Sequence, residues 1–81
     1  MTLAYSHLQI IGYDDWHALY KDGKLEFQSH SVPIFEIVRA AGGNPVTIEE
    51  IDVDETGIYA FFENVGHFPE NYNDIPQEVF A

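Results

Sequence analysis

An α+β domain is what this sequence predicts, and three observations predict it. Asp22-Gly23 separates two short alternating runs, Ile34 to Ala41 carries apolar residues at helical spacing, and Val46 onward returns to extended, β-rich character. The expected architecture is a small single-layer antiparallel sheet of about four to five strands, with its hairpin at Lys21–Lys24, packed against one helix over about 32–41. At 81 residues the chain is read as one domain, 1–81, with a small core. The area scaling lets folding bury only roughly 60–65% of the unfolded surface. Hydrophobic residues nonetheless make up 46% of the chain, enough to argue for a folded unit.

The elements follow in order. Leu3 to Tyr13, with Leu8, Ile10 and Ile11, reads as a first strand. Trp16 to Tyr20 and Lys24 to Gln28 flank a turn whose Asp-Gly pair supplies the positive φ angles of a tight hairpin. Alternation puts Trp16, Ala18 and Tyr20 on one face, and places Leu25 and Phe27 together against Glu26 and Gln28. Ser31 is the expected helix cap, Pro33 suits the first turn, and Gly42-Gly43 stops the helix before Pro45.

Val46 to Asp54 reads as extended. Val46 and Ile48 differ in parity from Ile51 and Val53, so a bulge near Glu49-Glu50 is expected. A helical turn capped by Thr47, with Glu50 completing a capping box, competes with that strand. The aromatic run Ile58 to Val65 reads as a further strand, paired with the preceding one across the Glu55-Thr56-Gly57 turn. A loop fills Gly66 to Asn73, and Asp74 would cap a last helical turn through Pro76 to Phe80.

Charge is the most informative global feature. The formal net charge is −11, and Arg39 is the last basic residue. Beyond it come Glu49, Glu50, Asp52, Asp54, Glu55, Glu63, Glu70, Asp74 and Glu78. Such a field disfavours direct binding to nucleic acid or an anionic membrane and favours a basic protein partner. Without cysteine the chain has no disulfides or thiolate ligands, and a reducing, cytoplasmic home is compatible with that. No run approaches a membrane span, and Met1 to His7 lacks a basic leader, so a soluble, unexported protein is expected.

Other chemistries are weaker. Glu50, Asp52 and Asp54 could line one strand face and offer oxygens to a hard cation, but straight strands space them roughly 6.6 Å apart. Asp52, Asp54, Gly57 and Glu63 fall at the first, third, sixth and twelfth places of a calcium loop, yet Thr56 breaks the pattern and Glu63 lies in an expected strand. His7, His17, His30 and His67 have no ligand spacing, and Asp14-Asp15 reads as a solvated turn. Neither catalytic residues, metal ligands nor a cofactor are assigned, and an enzyme would need a cleft shared between subunits.

The expected function is therefore a small acidic inhibitor that blocks the basic surface of a nucleic-acid-binding enzyme by imitating DNA. In composition, though by no motif, the chain resembles phage-encoded anti-CRISPR and anti-restriction proteins. An immunity protein or antitoxin facing a basic nuclease makes the same physical prediction, and a self-associating acidic module, for instance a homodimer, is the non-inhibitor alternative. The expected contact residues are Glu49, Glu50, Asp52, Asp54, Glu55, Glu63 and Glu70, with Tyr59 and Tyr72 as anchors.

Overall fold

The computed structural model describes residues 5–81, so the Leu3-Ala4 start of the expected first strand lies outside the described residues. The fold is α+β. Strands β1 (Ser6–Tyr13), β2 (Trp16–Lys21) and β3 (Lys24–Ser29) form an antiparallel meander. Asp14 (φ 56°) turns the first hairpin, while Asp22 (φ 50°) and Gly23 (φ 85°) turn the second with the left-handed pair the sequence anticipated. Helix α1 (Ile34–Ala41) then carries the chain across the sheet to β4 (Val46–Glu50).

That crossover corrects the expected all-antiparallel sheet. β4 runs parallel to β1, from Ser6↔Val46 to Ile10↔Glu50, giving a mixed sheet in the order β3-β2-β1-β4. A parallel neighbour needs a long connection, and residues 30–45 with α1 supply it. Because 46–50 are extended, the Thr47 capping box does not form. The α1 boundary is also later than expected: Pro33 occupies the N-cap position without a side-chain cap bond, so Ser31 does not cap it. Gly42 (φ 62°) ends the helix, its N–H donating to the carbonyls of Val38 and Arg39.

The larger correction concerns 58–65, which form no strand. Helix α2 (Glu55–Asn64) occupies this segment, started by the Asp54 carboxylate accepting from the Gly57 N–H at 2.8 Å. Ile58, Phe61 and Phe62 fall on its inward stripe, and Ile58 is fully buried. After α2 the chain returns through two 3-10 turns, Tyr72–Asp74 and Gln77–Val79. Pro76 precedes the second turn, so Asp74 closes the first rather than capping the last.

Both faces of the sheet are covered, so the expectation of one helix against a single-layer sheet gives way to a layer on each side. Ile11, Ala18 and Tyr20 pack with Ile58, Phe68, Ile75 and Val79 on the α2 side. Leu8 and Leu19 pack with Ala40, joined by Ile37, Val32 and Phe27, on the α1 side. Two apolar faces remove the need for a bulge at Glu49-Glu50: Val46 serves one core while Ile51 and Val53 serve the other. The register shift lies instead between β2 and β3, where Leu19 faces Phe27 but Tyr20 faces Leu25. Glu26 is the extra residue, which sends Leu25 and Phe27 to opposite cores instead of the same face.

Tyr20 ties the C-terminal return to the sheet. Its hydroxyl donates to the Pro69 carbonyl at 2.5 Å, and burial, the largest influence, pushes the phenol well above its ordinary value, helped by Tyr72 and Asp74. Folding thus favours the protonated phenol. Its contribution is full below the unfolded value near 10 and is lost as pH rises from there toward the folded value. Tyr20→Phe is expected to cost about 1–3 kcal/mol at neutral pH by leaving the Pro69 carbonyl unpaired. Denaturant titrations from pH 8 upward should also show a shallower alkaline loss than in the wild type. An equally steep loss in the variant would contradict this assignment.

Candidate acidic interface

The acidic run is laid out along one rim. Glu50 ends β4, Asp52 lies in the extended link, and Asp54 and Glu55 open α2. Tyr59 and Glu63 follow one turn apart on the exposed side of α2, where the neighbouring Glu63 carboxylate raises the Tyr59 phenol. Asp54 is partly committed, since its carboxylate caps the helix. The other rim carboxylates have no cation near them: among the described residues, the one pair joining a carboxylate to Lys or Arg is Glu36–Arg39, at 3.2 Å on α1. Lys24 instead donates to Asn71.

Where β1 ends and α2 begins, the rim opens into a cleft of about 720 Å³ lined by Gly12, Tyr13, Asp14, Val53, Glu55, Thr56 and Tyr59. The Tyr13 and Tyr59 rings meet edge to face at 6.4 Å, and Phe62 lies 5.5 Å behind Tyr13. Two carboxylates, Asp14 and Glu55, line this cleft together with two phenol rings, a combination whose chemistry suits a cation with a flat or apolar body. Guanidinium and alkylammonium groups satisfy both halves, through charge and through the negative ring faces. Tyr13 and Asp14 were outside the expected contact set. The Asp14-Asp15 turn is legible in the sequence, but only the fold brings Asp14 beside α2.

The remaining expected contact residues do not join this cleft. Glu49 lies on the α2 side of the sheet, 3.1 Å from His7, whose other ring nitrogen is 2.7 Å from the Thr47 hydroxyl. Tyr72 is partly buried, with its ring against Tyr20 and Phe80 at 5.3 and 5.6 Å. Burial and then Glu49 raise its phenol. Glu70 belongs to the opposite sheet edge, its carbonyl accepting from the Leu25 N–H of β3.

The weaker chemistries fare as follows. Glu50, Asp52 and Asp54 do not share a strand face, because the strand ends at Glu50. Gly57 and Glu63 are inside α2, so no calcium loop can form from Asp52 onward. Among the described residues no three His, Asp or Glu side chains converge on a metal-sized site. His30 lies 3.4 Å from Asp15, and the His17 ring nitrogen contacts the His30 carbonyl at 3.1 Å. Among the described residues no helix is long and apolar enough to cross a membrane.

Helix α1 presents a different surface. Ile34, Phe35 and Val38 are 78, 61 and 65% exposed, whereas Glu36 is buried. Comparisons of the chain with protein-family models, curated proteins and solved structures found no match.

Proposed function

We propose that this protein is a non-enzymatic binding protein that occupies the basic, nucleic-acid-binding surface of an enzyme and thereby inhibits it. The observation that carries this reading is the run of unpaired carboxylates leading into the tyrosine-walled cleft. Glu50, Asp52, Glu55 and Glu63 supply long-range attraction. Asp14, Glu55, Tyr13 and Tyr59 supply a specific seat for one Arg or Lys side chain of the partner. Field and seat do different work: the first raises the encounter rate, and the second slows dissociation.

A basic surface built for phosphates already has its Lys and Arg side chains displayed, so an acidic rim can bind it without reorganising it. The test is competition. Immobilised protein should retain a nucleic-acid-binding enzyme from a lysate of its own source, and added duplex or single-stranded nucleic acid should release it. Retention that nucleic acid leaves unchanged would refute the occupancy of that surface.

A further inference from the structure

We infer that β4 is a docking edge for an extended basic segment of the protein's partner, which would add a fifth strand to the sheet. This rests on the acidic-interface reading but concerns backbone groups that reading does not use. The β1–β4 ladder is bounded by Ser6 N–H to the Pro45 carbonyl at 3.1 Å and Ile51 N–H to the Ile10 carbonyl at 2.9 Å. In a parallel pair this alternation directs Thr47 and Glu49 toward β1. The N–H and C=O groups of Val46, Ile48 and Glu50 therefore face away from it.

β4 ends the strand order, and among the described residues no backbone group pairs with those outward groups. The other edge is covered where β3 begins. There Leu25 N–H donates to Glu70 and Tyr72 N–H to Gly23, with Lys24 bridged to Asn71. Open strand edges recruit further strands, and proteins usually blunt them.

Charge selects the occupant. Glu49 and Glu50 project on opposite faces of β4, and Asp52 follows, whereas Ile48, 55% exposed, precedes them on the Glu50 face. A matching strand carries consecutive basic residues across from Glu49 and Glu50 and an apolar residue across from Ile48. A second copy fits worse. Pairing β4 with itself would bring two chains of charge −11 together along their acidic rims.

The probe is a capped peptide, Lys-Lys-Val-Thr-Val, which in antiparallel register sets its lysines against Glu50 and Glu49. Amide hydrogen exchange at saturating peptide should slow by ~10-fold or more at Val46, Ile48 and Glu50, with little change at Thr47 and Glu49, already bonded to β1. A peptide of the same sequence, N-methylated at alternate amides on its pairing edge, should give no such protection. Equal binding by both peptides would overturn strand addition while leaving the acidic surface in place. Failure of the unmethylated peptide to protect these amides would overturn the inference alone, since retention of the enzyme and its release by nucleic acid are measured separately. Protection that grows with protein concentration without peptide would assign the edge to a second copy and overturn it as well.

Discussion

Gly57→Ala is expected to unfold the protein at a markedly lower temperature, although alanine is the better helix former. A Cβ on Gly57 would lie 1.7 Å from the Glu78 carbonyl oxygen and 2.5 Å from its carbon. Both atoms are main chain, so no rotamer change relieves the overlap. The C-terminal return cannot step back freely either: Asp54 N–H donates to the Val79 carbonyl at 2.7 Å, and Ala81 N–H to that of Asp52 at 3.2 Å. Separating α2 from this segment would loosen Ile58 and Val79, both fully buried. The overpacking should cost about 2–4 kcal/mol, of which alanine's helix propensity returns ~1 kcal/mol. For a domain of this size that net loss corresponds to roughly 5–20 °C in Tm. Calorimetry of the two proteins decides it, and an unchanged or raised Tm would mean that α2 and the tail are not in contact at Gly57. Because Glu55 and Tyr59 ride on α2, the same variant should also weaken partner binding.

Reversing Glu50, Asp52, Glu55 and Glu63 to Lys should abolish partner binding while leaving the fold nearly as stable. Each reversal changes the charge by two, so the formal net charge goes from −11 to −3. All four side chains are exposed and none is paired with Lys or Arg, so their loss removes no intramolecular ion pair of consequence. Asp54 is left alone because it caps α2. Against a basic partner, four repulsive contacts in place of four attractive ones should cost at least ~1000-fold in affinity at low salt, most of the long-range part in the association rate. Titration calorimetry with circular dichroism as the folding control measures both halves. Wild-type affinity in a folded variant would remove the rim from the interface.

Local backbone demands were the most legible part of the chain. Asp22-Gly23 and Gly42 each announce a left-handed conformation, and each has it. The helical identity of 55–64 is also present in the spacing of its apolar residues. Ile58, Phe61, Phe62 and Val65 repeat at i, i+3, i+4 and i+7, yet their aromatic, β-favouring composition argued for a strand. Periodicity is the better guide because the helix packs Ile58, Phe61 and Phe62 into the core, while Val65 at its end stays exposed. The parity change from Val46 and Ile48 to Ile51 and Val53 requires a bulge only if a single face of the sheet is buried. With two buried faces, both parities are apolar without any irregularity.

Strand order is non-local, and local patterns carry little of it. The parallel placement of β4 depends on α1 crossing the sheet, which the spacing of Ile34 to Ala41 does not specify. The same limit applies to the interface. Glu50 to Glu63 could be read as a charged stretch directly from their order. Asp14 joins them only because β1 ends beside α2, and Glu70 leaves them only because the chain returns to the edge of β3.

The salt dependence of partner affinity tests the central electrostatic claim most directly. Between about 50 and 500 mM salt, where the screening length falls from roughly 14 to 4 Å, wild-type affinity should drop steeply. Any residual binding by the lysine-reversed variant should respond far less. An affinity that holds constant across that range would contradict the account, because a partner indifferent to screening is not being held by uncompensated carboxylates.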